Sequence, residues 1–203
     1  MRSFLISLFL LSLLTSACFA EGLSVGLVYN TGGDLAGELG TINVTFKDPG
    51  ALGVTGSYFV AVTENLELGG GLTYFMPRDI TEADFDGTLV VMDEDGDYNV
   101  IPIFGRMRYI FNPGASKTVF YAGGDLRYAL VSVSGDAWTG ISAAGGMGFG
   151  VFGGVMFADI FEAEAGYILQ YSTFDWGSPI NEVQNLSEGS FYIKGSVILD
   201  ALM

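Results

Sequence analysis

The sequence predicts an all-β fold, an eight-stranded antiparallel up-and-down transmembrane β-barrel preceded by a cleavable signal peptide. Charged residues make up only 15% of the chain and apolar residues 50%, whereas ordinary soluble domains carry about 25% charged residues. Beyond the N-terminus, no apolar run reaches the length of about twenty residues that a membrane helix needs. Several segments instead alternate apolar and polar residues, which is the pattern of strands with one apolar and one polar face.

The N-terminus has the features of a signal peptide over residues 1–20, which places the barrel domain at residues 21–203. Arg2 supplies the positive charge, residues 4–14 are largely apolar, and small residues precede a cleavage site after Ala20. The apolar run is shorter than the about twenty residues of a membrane-spanning helix, so a retained anchor is the less favoured interpretation. Lipoprotein processing at Cys18 is a second alternative.

Missing residue types exclude several kinds of site. Cys18 is the only cysteine, so cleavage after Ala20 removes any disulfide or cysteine nucleophile from the mature chain. The chain contains no histidine, and histidine is the commonest general base and a common metal ligand. The net charge of −15 argues against binding to nucleic-acid phosphates.

Eight alternating segments can be placed along the chain between turn-forming residues. In the fourth segment, for example, Ile103 and Met107 share an apolar face, while Arg106 and Arg108 share the opposite face. The connections are alternately long and short, which predicts short turns at the end that carries both termini and longer loops at the other. The predicted strands are residues 22–31, 50–62, 66–76, 97–111, 117–134, 139–157, 161–174 and 189–200.

Alternation alone does not show which face is inside, and a soluble, lipocalin-like ligand-binding barrel would place its apolar face inward. Two features favour an apolar exterior. Aromatic residues collect at both ends of the apolar faces, as in the aromatic girdles of membrane barrels. The polar faces also carry many small residues, which suit a crowded lumen, as in the predicted sixth strand with Ser142, Ala144, Gly146, Gly148 and Gly150.

Three runs in these strands resemble a known family. The run from Thr63 to Tyr74 looks like the second hairpin of the small outer-membrane β-barrel family that includes OmpX-, OmpA- and OmpW-type proteins, and so do residues 103–109 and 161–167. The resemblance spans essentially the whole mature chain. It implies a barrel in a bacterial outer membrane, in contact with its lipids and lipopolysaccharide, but it is weak for function because these motifs are structural.

Eight charged residues fall on the predicted inner faces, four acidic and four basic. An eight-stranded barrel is just wide enough for side chains to fill it, and charges in so confined a space must pair. We expect a salt-bridged lumen that closes the barrel; a gated path for ions or small solutes is the alternative. These residues are Glu67, Arg106, Arg108, Asp125, Arg127, Glu162, Glu164 and Lys194.

The connection over residues 77–97 is acidic and resembles the start of a calcium loop. Asp93, Asp95 and Asp97 stand at alternate positions. Because calcium binds carboxylate oxygens, we expect weak calcium binding at the outer surface. The match is partial, because the glycine and the final glutamate of such loops are replaced by Tyr98 and Phe104. The alternative is a solvated acidic loop.

The sequence therefore predicts an outer-membrane protein with a structural or surface-interaction role. We expect a monomer. We expect no catalytic residues, because the enzymes known among outer-membrane barrels depend on a histidine, and no cofactor apart from weakly bound calcium. The alternative is a narrow channel or transport protein for small solutes, of the OmpW kind. The sequence does not identify an extracellular partner.

Overall fold

A computed structural model describes residues 22–80, 82–91, 96–111, 117–177 and 183–199, apart from the side chains of Ala137 and Val183. Almost all of these residues belong to antiparallel strands, and a single 3₁₀ turn covers Asp136–Trp138. No helix among them is long and apolar enough to cross a membrane. The predicted signal peptide lies outside the described residues.

Eight strands pair in chain order and the last pairs with the first, so that they close a barrel. This confirms the predicted all-β class and the predicted strand number. Closure leaves no free edge within the ring, which a chain surrounded by lipid requires. The barrel strands are β1 (Leu23–Asn30), β4 (Ala51–Ala61), β5 (Leu66–Phe75), β9 (Asp97–Phe111), β10 (Thr118–Ser134), β12 (Gly146–Phe157), β13 (Phe161–Asp175) and β14 (Val183–Ile198).

The apolar faces of these strands point outward, as predicted. Met107 of β9 and Leu126 of β10 are 53% and 67% exposed, whereas the neighbouring Arg106 and Asp125 are each 6% exposed. A barrel with an apolar exterior and a polar interior is suited to a bilayer rather than to water. The lipocalin-like alternative is wrong for this chain, because it requires the reverse polarity.

Both termini of the barrel lie at the end with the tight turns. The Ile198 amide donates to the carbonyl of Ile160, and the Leu199 amide donates to that of Leu23. The turn between β12 and β13 has left-handed backbone angles at Ala158 and Asp159, with φ of 52° and 61°. Two consecutive positive φ angles match the type I′ hairpin turn, whose twist fits that of the flanking strands.

The long connections at the other end contain strands that the sequence interpretation treated as loops. The first connection forms a hairpin of two strands, and the third forms a short strand followed by a second hairpin. Together they build a sheet that leaves the barrel at β14 and continues through four further strands. We call it the outer sheet; its strands are β2 (Asp34–Leu39), β3 (Ile42–Lys47), β7 (Glu82–Phe85) and β8 (Thr88–Val91), while β6 (Arg78–Asp79) pairs with β9.

The sixth predicted strand is interrupted, and this corrects part of the predicted lumen. The short strand β11 (Ser142–Ala144) and β12 both pair with β13, but Ser142 lies opposite Asp175 whereas Gly148 lies opposite Gln170. The register therefore shifts by one residue at Gly145, as in a β-bulge. Because a one-residue shift exchanges the two faces, Ser142 and Ala144 are exposed instead of facing the lumen.

Candidate functional site

The structure places all eight of the predicted lumen charges inside the barrel. They lie on two groups of neighbouring strands, β5, β9 and β10 on one side and β13 and β14 on the other, with β12 between β10 and β13. Seven of the side chains are nearly buried, and Glu67, near the end with the tight turns, is the most exposed. Each of the eight has at least one ion-pair partner.

We call these eight residues the lumen network. Its part nearer the tight turns is centred on Arg108. Its guanidinium donates from Nε to Glu67 Oε2 at 2.5 Å and from Nη1 to Glu162 Oε1 at 2.6 Å. The second oxygen of Glu162 accepts from the Ser196 hydroxyl at 2.8 Å. The guanidinium also lies over the ring of Phe59, 3.8 Å from its centroid, where a cation–π contact adds to the ion pairs.

The part of the lumen network nearer the long connections is centred on Glu164. Oε1 of Glu164 accepts from Arg106 Nη2 at 2.6 Å and from the Tyr192 hydroxyl at 2.8 Å, and Oε2 accepts from the Tyr121 hydroxyl at 3.0 Å. Lys194 Nζ lies 3.1 Å from the same carboxylate. A carboxylate with this many donors stays ionised, so Glu164 is unsuited to act as a general acid.

Arg127 and Asp125 complete the lumen network on β10. Arg127 donates from Nε and Nη2 to the two oxygens of Asp125, at 2.8 and 2.7 Å, which is the bidentate geometry that gives the strongest arginine pairs. With four acids matching four bases, the network is neutral. The network therefore has no surplus charge that would attract a charged ligand.

The space left inside the lumen is small. A cavity of about 30 Å³ lies between Arg106, Arg127 and Lys194 on one side and Thr55 and Thr73 on the other. This is room for about two water molecules, since a single water requires about 10–15 Å³ by the same measure. At this level, the paired side chains of the described residues leave only this small space between them.

A second buried group of charges lies closer to the outer end, and the sequence interpretation missed it. Arg78 of β6 is paired with Asp48, which follows β3, and both side chains are nearly inaccessible. Glu188 of β14 is also buried. All three residues fall in segments predicted as loops, and Glu188 is the last loop residue before the predicted eighth strand. The alternation Gln184, Leu186, Glu188, Ser190 and Tyr192 was the available signal that this strand starts earlier.

An apolar cluster covers the outer end of the lumen. Phe46 of the outer sheet lies between two tryptophans, with ring centroids 5.7 Å from Trp138 and 5.9 Å from Trp176. Trp138 in turn stacks on Phe174 of β13 at 5.9 Å. We call this cluster the apolar cap. Its buried members are Leu35, Val44, Phe46, Ile80, Ala83, Tyr98, Val100, Ala129, Val131, Trp138, Phe174, Trp176 and Leu186.

The far edge of the outer sheet is exposed. The terminal strand β8 pairs with β7 through a turn at Asp86 and Gly87, which have φ of 51° and 84°. All four residues of β8 are exposed, including Leu89, Val90 and Val91. No other strand in the described part of the chain pairs with β8.

The predicted calcium ligands are only partly within the structure. Asp93 and Asp95 lie outside the described residues. Asp97 is the first residue of β9, where it is exposed and lies opposite Asp79 and Ser134. Across the described ranges, no group of three or more acidic side chains is arranged to hold a metal. Calcium binding at this loop therefore stays a prediction.

Comparison with known proteins identifies the fold. Neither the family models nor the curated proteins gave a match to the sequence. Among solved structures, the outer membrane protein OprG from Pseudomonas aeruginosa matches at TM-score 0.56 and 12% identity, over 88% of this chain and 96% of that chain. AlkL, an outer membrane protein studied in lipid bilayers, matches at TM-score 0.51 and 13% identity, over 88% and 90%.

Neisserial surface protein A matches at TM-score 0.50 and 17% identity, over 88% of this chain and 98% of that chain. The chain has the fold of the small outer-membrane β-barrel proteins. Because the identities are low, the likeness concerns the fold, as the resemblance of the three sequence runs had implied. The chain combines that fold with its own neutral lumen network, apolar cap and exposed edge strand.

Proposed function

We propose that this outer-membrane barrel has a surface-interaction role, in which the closed barrel anchors the outer sheet and β8 binds a partner. The observation that carries the proposal is the outer edge of β8, with which no other strand of the described residues pairs. An edge strand presents unpaired N–H and C=O groups, and proteins usually cover, shorten or charge such edges to prevent unwanted pairing. In β8, Leu89, Val90 and Val91 leave the edge apolar and exposed.

The nature of the edge indicates the kind of partner. Addition of an extended segment to a free strand is a recurring mode of peptide recognition, in which main-chain hydrogen bonds supply affinity. Acidic residues surround β8, with Asp84 opposite Leu89 and Glu82 opposite Val91. A partner segment that alternates apolar and basic residues therefore complements the edge, whereas a second copy of this acidic chain is repelled, which favours a monomer.

The closed lumen supports the same proposal and disfavours transport. Ions or solutes would have to cross the apolar cap and then the paired charges of the lumen network, and breaking a buried ion pair is costly. Nor does the lumen network supply an enzyme mechanism, because its carboxylates are held by arginine, lysine and hydroxyl donors. We accordingly propose that the barrel itself has a structural, non-enzymatic role.

Binding to β8 can be tested with defined peptides. A synthetic peptide that alternates valine and lysine should bind the full chain in lipid nanodiscs, and N-methylation of its backbone should abolish binding because it removes the main-chain donors. Val91→Lys should weaken binding by about tenfold, or about 1.4 kcal/mol. Val62→Lys is the matched control, since Val62 is exposed at the opposite end of the barrel. Equal binding of the methylated peptide, or by the Val91→Lys protein, would refute the docking role of β8.

A further inference from the structure

Three buried charged side chains meet where the outer sheet joins the barrel. Asp48 follows β3 in the first long connection, Arg78 belongs to β6 in the third, and Glu188 belongs to β14. Both connections also contribute strands to the outer sheet. Contacts among these three residues therefore add to the strand pairing and the apolar cap that hold the outer sheet on the barrel.

Main-chain geometry brings Asp48 next to Glu188. The Asp48 amide donates to the Gly33 carbonyl at 2.9 Å. Gly33 itself packs directly on β14, since a Cβ added there would lie 3.5 Å from Cγ of Glu188. The strand that follows Gly33 continues this contact, because Leu35 is paired with Glu188. These contacts place Asp48 beside Glu188 at the base of the outer sheet, and both side chains are buried there.

Arg78 is the one cation of this group. It forms an ion pair with Asp48 Oδ2, and its guanidinium lies over the rings of Tyr98 and Phe75, 5.0 and 5.8 Å from their centroids. The other polar groups that face Glu188 are neutral: Ser190 of β14, Gln170 and Ser172 of β13 and the Tyr98 phenol of β9.

The charges of this group do not balance if both carboxyls are ionised. Two carboxylates would then share one guanidinium, although the Asp48 side chain is 0% exposed and Glu188 is 4% exposed. In addition, Glu188 Oε1 is buried and has no hydrogen-bond donor. A buried carboxylate without a counter-charge is strongly disfavoured, whereas one proton shared by the two carboxyls makes the group neutral and provides the absent donor.

We propose that Asp48, Arg78 and Glu188 form a proton-dependent latch that holds the outer sheet on the barrel. With one shared proton, the group is neutral and the connections that carry Asp48 and Arg78 remain on β14. Loss of that proton leaves one net negative charge in a buried site, and opening of the connections lets water solvate it. Only the biological consequence of the latch rests on the proposed function: opening would displace β8, the strand on which we propose that a partner binds.

The direction of the pH effect follows from proton linkage. The closed state holds a proton that an open, solvated pair of carboxyls releases at neutral pH, so the closed state is favoured at lower pH and loses stability as pH rises. Once the closed state also begins to release the proton, the effect levels off. Below the pH at which the closed state begins to release its proton, the equilibrium constant for opening rises by about tenfold per pH unit, which is the slope for one released proton.

The test measures opening without any partner. Hydrogen exchange of residues 31–49 and 77–91 is followed in the full chain in nanodiscs, from mildly acidic to mildly alkaline pH, after correction for the intrinsic pH dependence of exchange. We expect wild type to lose protection as pH rises. Glu188→Gln should stay protected throughout, since its amide is neutral at every pH and donates to Asp48. Glu38→Gln, at an exposed position of β2, is the matched control and should behave as wild type.

Other outcomes decide against the latch. Protection of wild type that does not depend on pH, or a Glu188→Gln protein that keeps the wild-type dependence, would overturn the proposal. If Glu188→Gln fails to fold, Asp48→Asn replaces it, because Glu188 can then pair with Arg78 and the group is again neutral. Peptide binding to β8 is measured at mildly acidic pH, where the latch is closed, so its failure would refute the docking role and leave the latch intact.

Discussion

At the scale of single residues, the barrel interior depends on pairs rather than on isolated charges. Arg106 illustrates this, because its guanidinium pairs with Glu164 and lies 3.8 Å from the centroid of the Phe152 ring. Removal of one partner leaves the other buried and unpaired, which costs more than the pair contributes. The positions of the eight charged residues could be predicted from strand parity, but their specific partners could not, since strand parity gives no distances.

Arg106→Met should therefore destabilise the folded barrel by about 3–5 kcal/mol, and Arg106→Met combined with Glu164→Gln should cost less than the sum of the single changes. Urea unfolding in lipid vesicles measures all three. The exposed pair of Lys47 and Glu82, at 3.2 Å, is the control, and its coupling should be about 0–1 kcal/mol. Strictly additive losses for Arg106 and Glu164 would show that these two side chains do not interact.

At the scale of strands, the membrane-facing surface is set by the register of pairing. A strand presents the same residues to lipid only while its alternation is unbroken, and the bulge at Gly145 reverses the faces of β11 relative to β12. An unbroken period of two therefore predicted Ser142 on the wrong side. A Cβ at Gly145 would lie 2.7 Å from Tyr128 Cε1, so the glycine permits a close approach of neighbouring strands.

Two matched substitutions test this assignment of faces. Met107→Arg places a charge on the lipid-facing side of β9 and should cost about 2–4 kcal/mol. Ser142→Arg places the same charge at an exposed position near the outer end and should change stability by about 0.5 kcal/mol or less. Folding equilibria in vesicles provide the measurement. A large cost at Ser142 and a negligible cost at Met107 would show that the assignment is inverted.

At the scale of the whole molecule, two barriers lie in series along the barrel axis. The apolar cap closes the outer end, and the lumen network fills the level below it. Each barrier uses residues from several strands, so neither opens through the movement of one side chain. This arrangement is what the proposed surface role requires of the barrel, and it predicts that solutes find no open route through the described residues.

Planar-bilayer recordings test this closed state. The wild-type chain should show no steady conductance steps. A variant with Phe46→Ala and Trp176→Ala, which weakens the apolar cap, should also remain silent because the lumen network still fills the barrel. Regular steps from the wild type would favour the alternative of a narrow transport protein, and steps from the cap variant alone would show that the lumen network is not a barrier.

The sequence by itself determined the barrel, its polarity and the charged residues of the lumen network. Low charge, the absence of membrane helices and a period of two suffice for this, because each is a local property of the chain. Only the tertiary structure decided the bulge at Gly145, the outer sheet and the meeting of Asp48, Arg78 and Glu188. These depend on pairing between distant segments, such as Leu35 with Glu188, and local alternation carries no information about which distant strand will be the neighbour.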